Sequence, residues 1–342
     1  MSLPNATLDS TVIALLAPGK GILAADESLP TIGKRFAALG ISSTEERRRS
    51  YRELLFMTPA LSDAISGVIL FDETMRQRTA GGGALPELLT SQHIIPGIKV
   101  DAGTMTLPGF AGEKITQGLD GLRERLSVYR ELGARFTKWR AVIAIGDHLP
   151  TMGAIAANAH ALALFAALSQ EAGLVPIVEP EVLMDGSHSL AHCEEAMNIT
   201  LKTVFATLTA QRVVLETMLL KTGMVLPGKD CPQQAGVDEV AEATLRCLRR
   251  TVPAAVPGIV FLSGGQKDVA ATERLNAVCR VGGAPWRLSF SFGRALQDAA
   301  MKTWHGVPAN VAAAQAALQH RAQCNGLAVL GKYSADEENA TA

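Results

Sequence analysis

Eight short apolar segments alternate along this chain with segments of helical periodicity, and this alternation restricts the fold more than any other feature. Several of the apolar segments are almost continuously hydrophobic, which is typical of strands buried on both faces of a parallel sheet. The predicted strands cover residues 21–26, 67–71, 97–101, 136–143, 175–181, 214–221, 258–263 and 287–292. The predicted helices cover residues 44–57, 118–132, 149–172, 189–210, 237–251, 269–279 and 294–303. At the first of these helices Ser43 is the expected N-cap, because Glu46 follows three positions later as in a capping box.

The pattern predicts an α/β fold, a single (β/α)8 TIM barrel that comprises residues 1–333 and carries helical extensions at its N-terminal and C-terminal ends. No segment rich in proline, glycine and serine divides the chain into two domains. A doubly wound open sheet is the alternative that the pattern leaves open, but the G-x-G-x-x-G motif of such sheets does not follow the first strand. Residues 334–342 are small, polar and acidic, and we expect a flexible C-terminal tail there.

The composition restricts the partners and the compartment. A net charge of −1 gives no general attraction to nucleic acids or to anionic membranes. The five cysteines are widely spaced and form no C-x-x-C pair, as expected for reduced thiols in a cytoplasmic protein. No signal peptide is recognisable, and no apolar segment approaches the ~20 residues of a membrane span. We therefore expect no nucleic-acid partner and no membrane association.

Charged and glycine-rich groups follow seven of the eight predicted strands, where a barrel places its catalytic residues. Side chains alternate along a strand, so Lys138 and Arg140 share one side of theirs, and Glu179 and Glu181 share one side of the next. An ion-pair network that only neutralises the barrel mouth is the alternative for any single residue. The complete set favours an active site, because unpaired charges at strand ends carry a desolvation cost. These strand-end groups are Asp26, Lys99, Asp101, Lys138, Arg140, Glu179, Glu181, Lys221, Ser263, Gly264, Gly265, Gly293 and Arg294.

The residue types indicate a chemistry that needs no metal. A desolvated lysine with other cations nearby is partly neutral and attacks carbonyl groups, which makes Lys221 the candidate nucleophile, with Lys138 and Arg294 as the nearby cations. Attack on a ketone and loss of water give an iminium, which accepts electrons from a breaking C–C bond. Glu179 or Glu181 could supply the proton for water loss, and Asp26 could accept a hydroxyl proton as the bond breaks.

Two glycine-containing segments point to an anionic substrate. Residues 263–265 follow the seventh predicted strand, and Gly293 with Arg294 follows the eighth, which is where barrels commonly bind phosphate. Glycines let backbone N–H groups approach an anion, and the start of a helix adds its dipole. Ordinary turn glycines are the alternative interpretation.

Seven short blocks, which occur in order from about Leu8 to Tyr333, carry a family resemblance. They are GILAADES at 21–28, GIKVD at 97–101, KWR at 138–140, VEPE at 178–181, LLK at 219–221, FLSGGQ at 261–266 and SFGRAL at 291–296. Together they resemble class I fructose-1,6-bisphosphate aldolase. Each block is short, but the ordered series is specific.

The resemblance implies roles for individual residues. Lys221 would be the Schiff-base lysine, Glu179 with Glu181 the acid–base pair for dehydration, and Asp26 with Lys138 would act on the carbinolamine and on C–C cleavage. Arg140 would contact the substrate. The residues implied for one phosphate are Ser263, Gly264, Gly265, Gly293 and Arg294, and those implied for the other are Ser28, Arg35, Arg48 and Lys99.

The resemblance also implies a metal-independent, cofactor-free enzyme of glycolysis and gluconeogenesis. It would be a cytoplasmic homotetramer that reversibly cleaves fructose 1,6-bisphosphate to dihydroxyacetone phosphate and glyceraldehyde 3-phosphate. Two features depart from familiar members. Lys221 is followed by Thr222 and Gly223 where they have Pro-Asn or Pro-Ser, and the chain lacks the C-terminal tyrosine of the animal enzymes, its last tyrosine being Tyr333.

Other interpretations of the sequence lack a required feature. Residues 262–266 and 326–332 resemble ATPase motifs, but neither stands in a strand–loop–helix context. His188 and His192 could share a metal, but no third ligand is apparent. A lysine-dependent aldolase of the deoxyribose-phosphate or transaldolase type would need only one anion site, whereas two are predicted here. A catalytically idle barrel would typically have lost Lys221 or its carboxylates.

Overall fold

In the computed structural model, which describes residues 5–339, the eight predicted strands pair in parallel and close into a barrel. The order around the barrel is β1-β10-β9-β8-β7-β6-β3-β2, and β2 pairs with β1 again. The barrel strands are β1 (Gly21–Ala25), β2 (Ile65–Leu70), β3 (Ile95–Lys99), β6 (Phe136–Ile143), β7 (Val175–Val182), β8 (Leu219–Thr222), β9 (Gly258–Phe261) and β10 (Arg287–Phe292). The predicted TIM barrel is confirmed.

Two details of the strands differ from the prediction. The strand predicted from residue 214 begins only at Leu219, because Leu215–Thr217 form a turn of 3-10 helix in front of β8. A short antiparallel hairpin of β4 (Thr104–Thr106) and β5 (Lys114–Thr116), which was not predicted, follows the end of β3. Three-residue strands are too short to leave a periodicity in the sequence.

Helices surround the barrel and fill the connections between its strands. They are α1 (Asn5–Leu15), α2 (Leu29–Ala37), α3 (Glu45–Phe56), α4 (Asp72–Arg76), α5 (Leu85–Ser91), α6 (Leu122–Glu131), α7 (Met152–Glu171), α8 (Leu190–Ala210), α9 (Val237–Thr251), α10 (Asp268–Val281), α11 (Arg294–Trp304) and α12 (Val311–Val329). The seven predicted helices are confirmed. The cap of α3 is one residue later than predicted, since the side chain of Thr44 accepts a hydrogen bond from the backbone N–H of Arg47.

The amino-terminal half of the barrel interior is filled by apolar side chains. The ring of Phe136 occupies this space because glycines on the neighbouring strands leave room for it: a Cβ at Gly97 would lie 2.3 Å from the ring, and one at Gly67 would lie 3.1 Å from it. Leu15 and Leu16, from the end of α1 and the residue after it, belong to the same buried cluster and close this end of the barrel.

Part of the segment that the sequence predicts as a flexible tail has defined contacts in the described residues. Residues Ala335–Asn339 form a 3-10 helix. Glu338 forms an ion pair with Arg321 of α12 and accepts a hydrogen bond from the hydroxyl group of Tyr333. Arg321 is buried, so its charge requires a nearby acidic partner, and this pair attaches the segment to α12. Residues 340–342 lie outside the described part of the chain.

Helix α7 contradicts the expectation that no apolar segment reaches the length of a membrane span. Among the described residues it is the one helix that is long and apolar enough, with 20 residues and a mean hydropathy of 1.5. More than half of that segment is buried, and the helix packs against β6, β7 and α8 in the outer layer of the barrel. Its composition is explained by this packing.

Candidate active site

A cavity of about 870 Å³ opens at the carboxyl ends of the barrel strands. Its lining brings together residues that are far apart in sequence but were predicted to meet at this face. The predicted site residues that line it are Asp26, Ser28, Arg35, Lys99, Lys138, Arg140, Glu179, Glu181, Lys221, Ser263, Gly264, Gly265, Gly293 and Arg294. Arg48 was also predicted here but does not line the cavity. It lies on α3, where its guanidinium group binds Glu73.

Four charges of alternating sign form a line across the base of the cavity, and all except the partly buried Asp26 are buried. The Lys221 nitrogen lies 3.1 Å from Oε1 of Glu179, whose Oε2 lies 2.8 Å from the Lys138 nitrogen. Lys138 also donates a hydrogen bond of 2.9 Å to Oδ2 of Asp26. Lys221 and Glu179 are each 3% exposed, so these charges interact with little screening by water.

The ion pairs determine the protonation of this line. Burial alone raises the pKa of Asp26, but the ammonium groups of Lys138 and Lys221 outweigh it and hold that pKa below its usual value. Burial also raises the pKa of Glu179. The nearby cations Lys138, Lys221 and Arg140 outweigh burial and hold that pKa below its usual value. Burial lowers the pKa of Lys138, but Asp26 and Glu179 raise it above that of a free lysine. Lys138 is therefore bound between two carboxylates.

The register between β6 and β7 brings a second pair of charges to the cavity. Arg140 pairs in register with Glu179 and binds the carboxylate of Glu181 through its guanidinium group. Burial lowers the pKa of Arg140, but Glu181 and Glu179 raise it above its usual value. Trp139, between the two cations of β6, faces outwards and stacks on Phe165 of α7. The predicted alternation of side chains on this strand is confirmed.

One side of the cavity is a backbone loop followed by the start of a helix. Gly264 and Gly265 have positive φ angles of 58° and 95°, which L side chains rarely adopt, so the glycines allow this turn after β9. Gly293 is the N-cap of α11, and Arg294 is the first residue of that helix. The exposed guanidinium group of Arg294 and the free N–H groups of the helix start can hold an anion.

Further cations line the cavity after strand β1 and at the end of strand β3. Arg35 binds Glu27 and also donates a hydrogen bond of 2.8 Å to Asp298. Burial lowers the pKa of Arg35, but Glu27 raises it above its usual value. Lys99 is paired with Asp101 next to it. Ser28, at the N-cap of α2, lies 3.1 Å from the hydroxyl group of Thr31.

The sequence analysis missed a buried polar network behind these cations. Glu27 also binds Arg52, at 2.7 Å, and accepts a hydrogen bond of 3.0 Å from Gln297. Gln297 in turn donates to the carbonyl oxygen of Ala24 and accepts from Tyr51. Glu27 stands next to Asp26 in the first block of the family resemblance, which could have indicated it. Nothing in the local sequence indicates Arg52, whose guanidinium group arrives from α3.

The cavity lining is cationic and lacks soft metal ligands. The lining residues within the described part of the chain include seven lysines and arginines, five aspartates and glutamates, and no histidine or cysteine. Each of the five carboxylates is paired with a lysine or arginine. This donor set suits an anionic organic substrate better than a divalent metal.

Possible metal ligands elsewhere do not form part of this cavity. Between residues 5 and 339, the one group of three His, Cys, Asp or Glu side chains close enough to share an ion is His320, Cys324 and Glu338. Glu338 is already bound by Arg321. His188 and His192, which the sequence raised as a possible pair, do not belong to such a group within these residues.

Comparison with known proteins decides the family. A family model named Glycolytic and described as fructose-bisphosphate aldolase class-I matches residues 7–342. The chain belongs to the class I fructose-bisphosphate aldolases. This aldolase is 57% identical over 327 residues to a probable fructose-bisphosphate aldolase class 1 of Xanthomonas axonopodis pv. citri, which covers 95% of this chain and 98% of that protein.

Two further relatives extend the comparison. A protein named fructose-bisphosphate aldolase 4, cytosolic, from Arabidopsis thaliana is 50% identical over 322 residues, covering 94% of this chain and 82% of its own length. A fructose-bisphosphate aldolase of Plasmodium falciparum, solved in complex with TRAP and a small-molecule inhibitor, superimposes with a TM-score of 0.96 at 47% identity over 98% of both chains. This aldolase is thus a carbon–carbon lyase of glycolysis, built on a TIM barrel, and its substrates are phosphosugars.

Proposed function

We propose that this aldolase reversibly cleaves fructose 1,6-bisphosphate to dihydroxyacetone phosphate and glyceraldehyde 3-phosphate through a Schiff base on Lys221, without a metal. The observation that carries the proposal is the position of the Lys221 amine. It is buried at the end of a barrel strand, and a carboxylate oxygen of Glu179 lies 3.1 Å away. An amine that can pass its proton to a neighbouring carboxylate in a dry cavity is a nucleophile towards a ketone.

The first half of the reaction forms the iminium. Glu179 accepts a proton from the Lys221 ammonium group, and the neutral amine attacks the carbonyl carbon C2 of the ketose. The attack leaves an alkoxide at C2 and a positive charge on the nitrogen. Glu179 returns its proton to the alkoxide, removes the next proton from the nitrogen, and donates it to the resulting C2 hydroxyl group, which leaves as water. Lys138 remains charged beside both groups and stabilises the oxygen as it becomes anionic. Arg140 holds Glu181 next to Glu179, where it stabilises positive charge on the developing iminium.

The second half breaks the bond between C3 and C4. Asp26, kept anionic by Lys138, accepts the proton of the C4 hydroxyl group, and the electron pair of the C3–C4 bond moves to the iminium nitrogen. The aldehyde product leaves, and an enamine remains on Lys221. Protonation of the enamine at C3 and hydrolysis of the iminium then release dihydroxyacetone phosphate and restore the lysine.

The two groups of cations in the cavity support a substrate with two phosphates. We assign one phosphate to the loop of residues 263–265 together with Gly293 and Arg294, and the other to the side of Ser28, Arg35 and Lys99. Fructose 1-phosphate lacks the second phosphate and should be cleaved with a lower kcat/KM. Equal values of kcat/KM for the two sugars would contradict the assignment of the second phosphate.

We extend the proposal to the compartment and the assembly. The Arabidopsis relative is named cytosolic, and all five cysteines lie within the described residues and are free, which supports a cytoplasmic enzyme. The family resemblance implies a homotetramer. Light scattering on the purified protein should give four times the chain mass, and a monomer or dimer at assay concentration would contradict the assembly.

A cleavage assay with and without chelator tests the proposed chemistry. The enzyme should retain its activity after dialysis against EDTA, whereas Lys221→Met should lose cleavage while keeping its fold. The methionine variant keeps most of the side-chain volume. A loss of cleavage activity would therefore result from the missing amine and not from a cavity in the barrel. Activity that disappears in EDTA and returns with zinc would contradict the proposal, as would an active Lys221→Met variant.

A further inference from the structure

Lys229 lies beside the loop of residues 263–265 and is a second cation there besides Arg294. It belongs to the connection between β8 and α9, which the family resemblance did not include. A Cβ atom at Gly265 would lie 3.4 Å from Nη2 of Arg294 and 3.5 Å from Nζ of Lys229. Two positively charged groups, one from the start of α11 and one from the connection between β8 and α9, therefore converge on the same point of this loop. Gly265 and Arg294 line the cavity, and Lys229 lies directly beside this part of the lining.

The backbone that carries Lys229 is fixed in place by its neighbours. The N–H group of Lys229 donates a hydrogen bond of 2.9 Å to the carbonyl oxygen of Met184, and the N–H group of Gly228 donates one of 2.8 Å to that of His188. Close packing at Gly228 strengthens this attachment, since a Cβ there would lie 2.1 Å from the oxygen of Gly186. The segment is thus attached to the loop after β7, the strand of Glu179.

The side chain of Lys229, by contrast, is held by a partner that an anion can replace. Its nitrogen lies 2.7 Å from Oδ1 of Asp185, but the Lys229 side chain is 43% exposed and that of Asp185 is 68% exposed. Ion pairs of this exposure are weak because water screens both charges. A phosphate with a charge near −2 at the Gly265 loop attracts the ammonium group more strongly than one exposed carboxylate does.

We infer that Lys229 is a further substrate-binding residue, which exchanges Asp185 for the phosphate held by residues 263–265 and Arg294. Asp185 keeps the lysine next to the loop in the free enzyme and competes with the phosphate for it. Lys229 contacts a phosphate oxygen and takes no part in proton transfer, so it determines affinity for the phosphorylated end of the substrate and not the rate of bond cleavage. The inference rests on the proposed phosphate assignment of this loop.

Steady-state kinetics of three variants test the inference. Lys229→Met should raise KM for fructose 1,6-bisphosphate, and the inhibition constant of inorganic phosphate, roughly tenfold, the effect of losing one charge-assisted contact. The kcat value should stay within about twofold. Lys229→Arg should retain most of the affinity. Asp185→Asn should lower KM by about two- to threefold, because it removes the competing carboxylate.

Lys267→Met is the matched control, because Lys267 is an exposed lysine two residues beyond Gly265. It removes the same charge from the same face and should leave KM within about twofold. An unchanged KM in Lys229→Met, a shift equal to that of Lys267→Met, or a raised KM in Asp185→Asn would each overturn the inference.

Arg294→Ala separates a failure of the role of Lys229 from a failure of the phosphate assignment. If it raises KM while Lys229→Met does not, only the role of Lys229 fails. If neither variant raises KM, the phosphate assignment itself fails.

Discussion

The two halves of the barrel interior have opposite chemistry, although the same strands build both. On β6, Phe136 points into the apolar half, and Lys138, two residues later on the same side, points into the cavity. On β7 the corresponding change occurs between Ile177 and Glu179. On each of these strands the interior therefore changes from apolar packing to charged groups within two residues. The apolar packing holds the barrel together, and the charges are proposed to perform the reaction.

The comparison shows where stability and activity are determined. Burying a side chain such as Phe136 contributes about 1.5–3 kcal/mol, so the amino-terminal half stabilises the fold. Burying an ion costs several kcal/mol unless a partner compensates it. The charged half therefore adds little net stability. The alternating signs of Lys221, Glu179, Lys138 and Asp26 mainly offset the desolvation cost of burying these charges. Substitutions in the two halves should have separable effects.

The largest separation is expected at Glu179. Glu179→Gln keeps the shape of the side chain but removes the base and acid of dehydration, so kcat should fall by about 10²–10⁴-fold. The barrel should remain folded, because Lys138 keeps Asp26 as a partner. Steady-state assays and circular dichroism on the same preparation measure both effects. A variant with wild-type kcat would remove Glu179 from the proposed mechanism.

Phe136 offers the opposite test. Phe136→Ala should lower the free energy of unfolding by about 3–5 kcal/mol, because a ring enclosed by Gly67 and Gly97 leaves a cavity that its neighbours cannot fill. The kcat of the protein that remains folded should stay within about twofold. Denaturant titration measures the loss, with Phe136→Leu as the milder control. A stable Phe136→Ala protein with impaired chemistry would break the division between the two halves.

A smaller and more selective effect is expected at the rim of the charged half. Arg294 presents a fork of donors suited to phosphate, so Arg294→Ala should raise KM for fructose 1,6-bisphosphate by about ten- to a hundredfold. Its effect on an unphosphorylated ketose analogue should be much smaller. Comparison of kcat/KM for the two substrates measures the difference. Equal losses on both would mean that Arg294 does not recognise the phosphate.

The smallest effect on activity is expected far from both halves. Deleting the residues after Tyr333 removes the ion pair between Glu338 and Arg321 and leaves the buried Arg321 without this acidic partner. The melting temperature should fall by several degrees, since removing one partner of a buried ion pair costs about 3–5 kcal/mol. Cleavage should stay within about twofold, because no residue of this segment from Ala335 to Asn339 lines the cavity. A large loss of kcat in the intact assembly would show that the segment takes part in the reaction.

Most of the barrel could be predicted because its signals are local. Buried parallel strands produce continuous apolar runs, and the charges of Lys138 and Arg140 on β6 stand out against them. The rest depends on tertiary contacts between residues that are far apart in sequence. The 3-10 turn before β8 interrupts an apolar run without changing its composition. The 335–339 segment is attached through the pair of Glu338 with Arg321, which lies on another helix.

The candidate site follows the same rule. Strand-end residues such as Lys221 and Glu179 were predicted because the barrel brings all strand ends to one face. Arg48 was carried over from the resemblance, but on α3 it binds Glu73 instead of facing the cavity. Arg52 on the same helix faces inwards to Glu27. No local pattern distinguishes these two arginines, because the docking of α3 determines which one reaches the site.

The central claim, that the charged half exists to make Lys221 a nucleophile, can be tested by trapping the intermediate. The enzyme is incubated with dihydroxyacetone phosphate, the iminium is reduced with borohydride, and the adduct is located by peptide mass mapping. The account predicts one adduct per chain, on Lys221, and none in Lys221→Met. An adduct on Lys138 or Lys99, or none in an active enzyme, would contradict it.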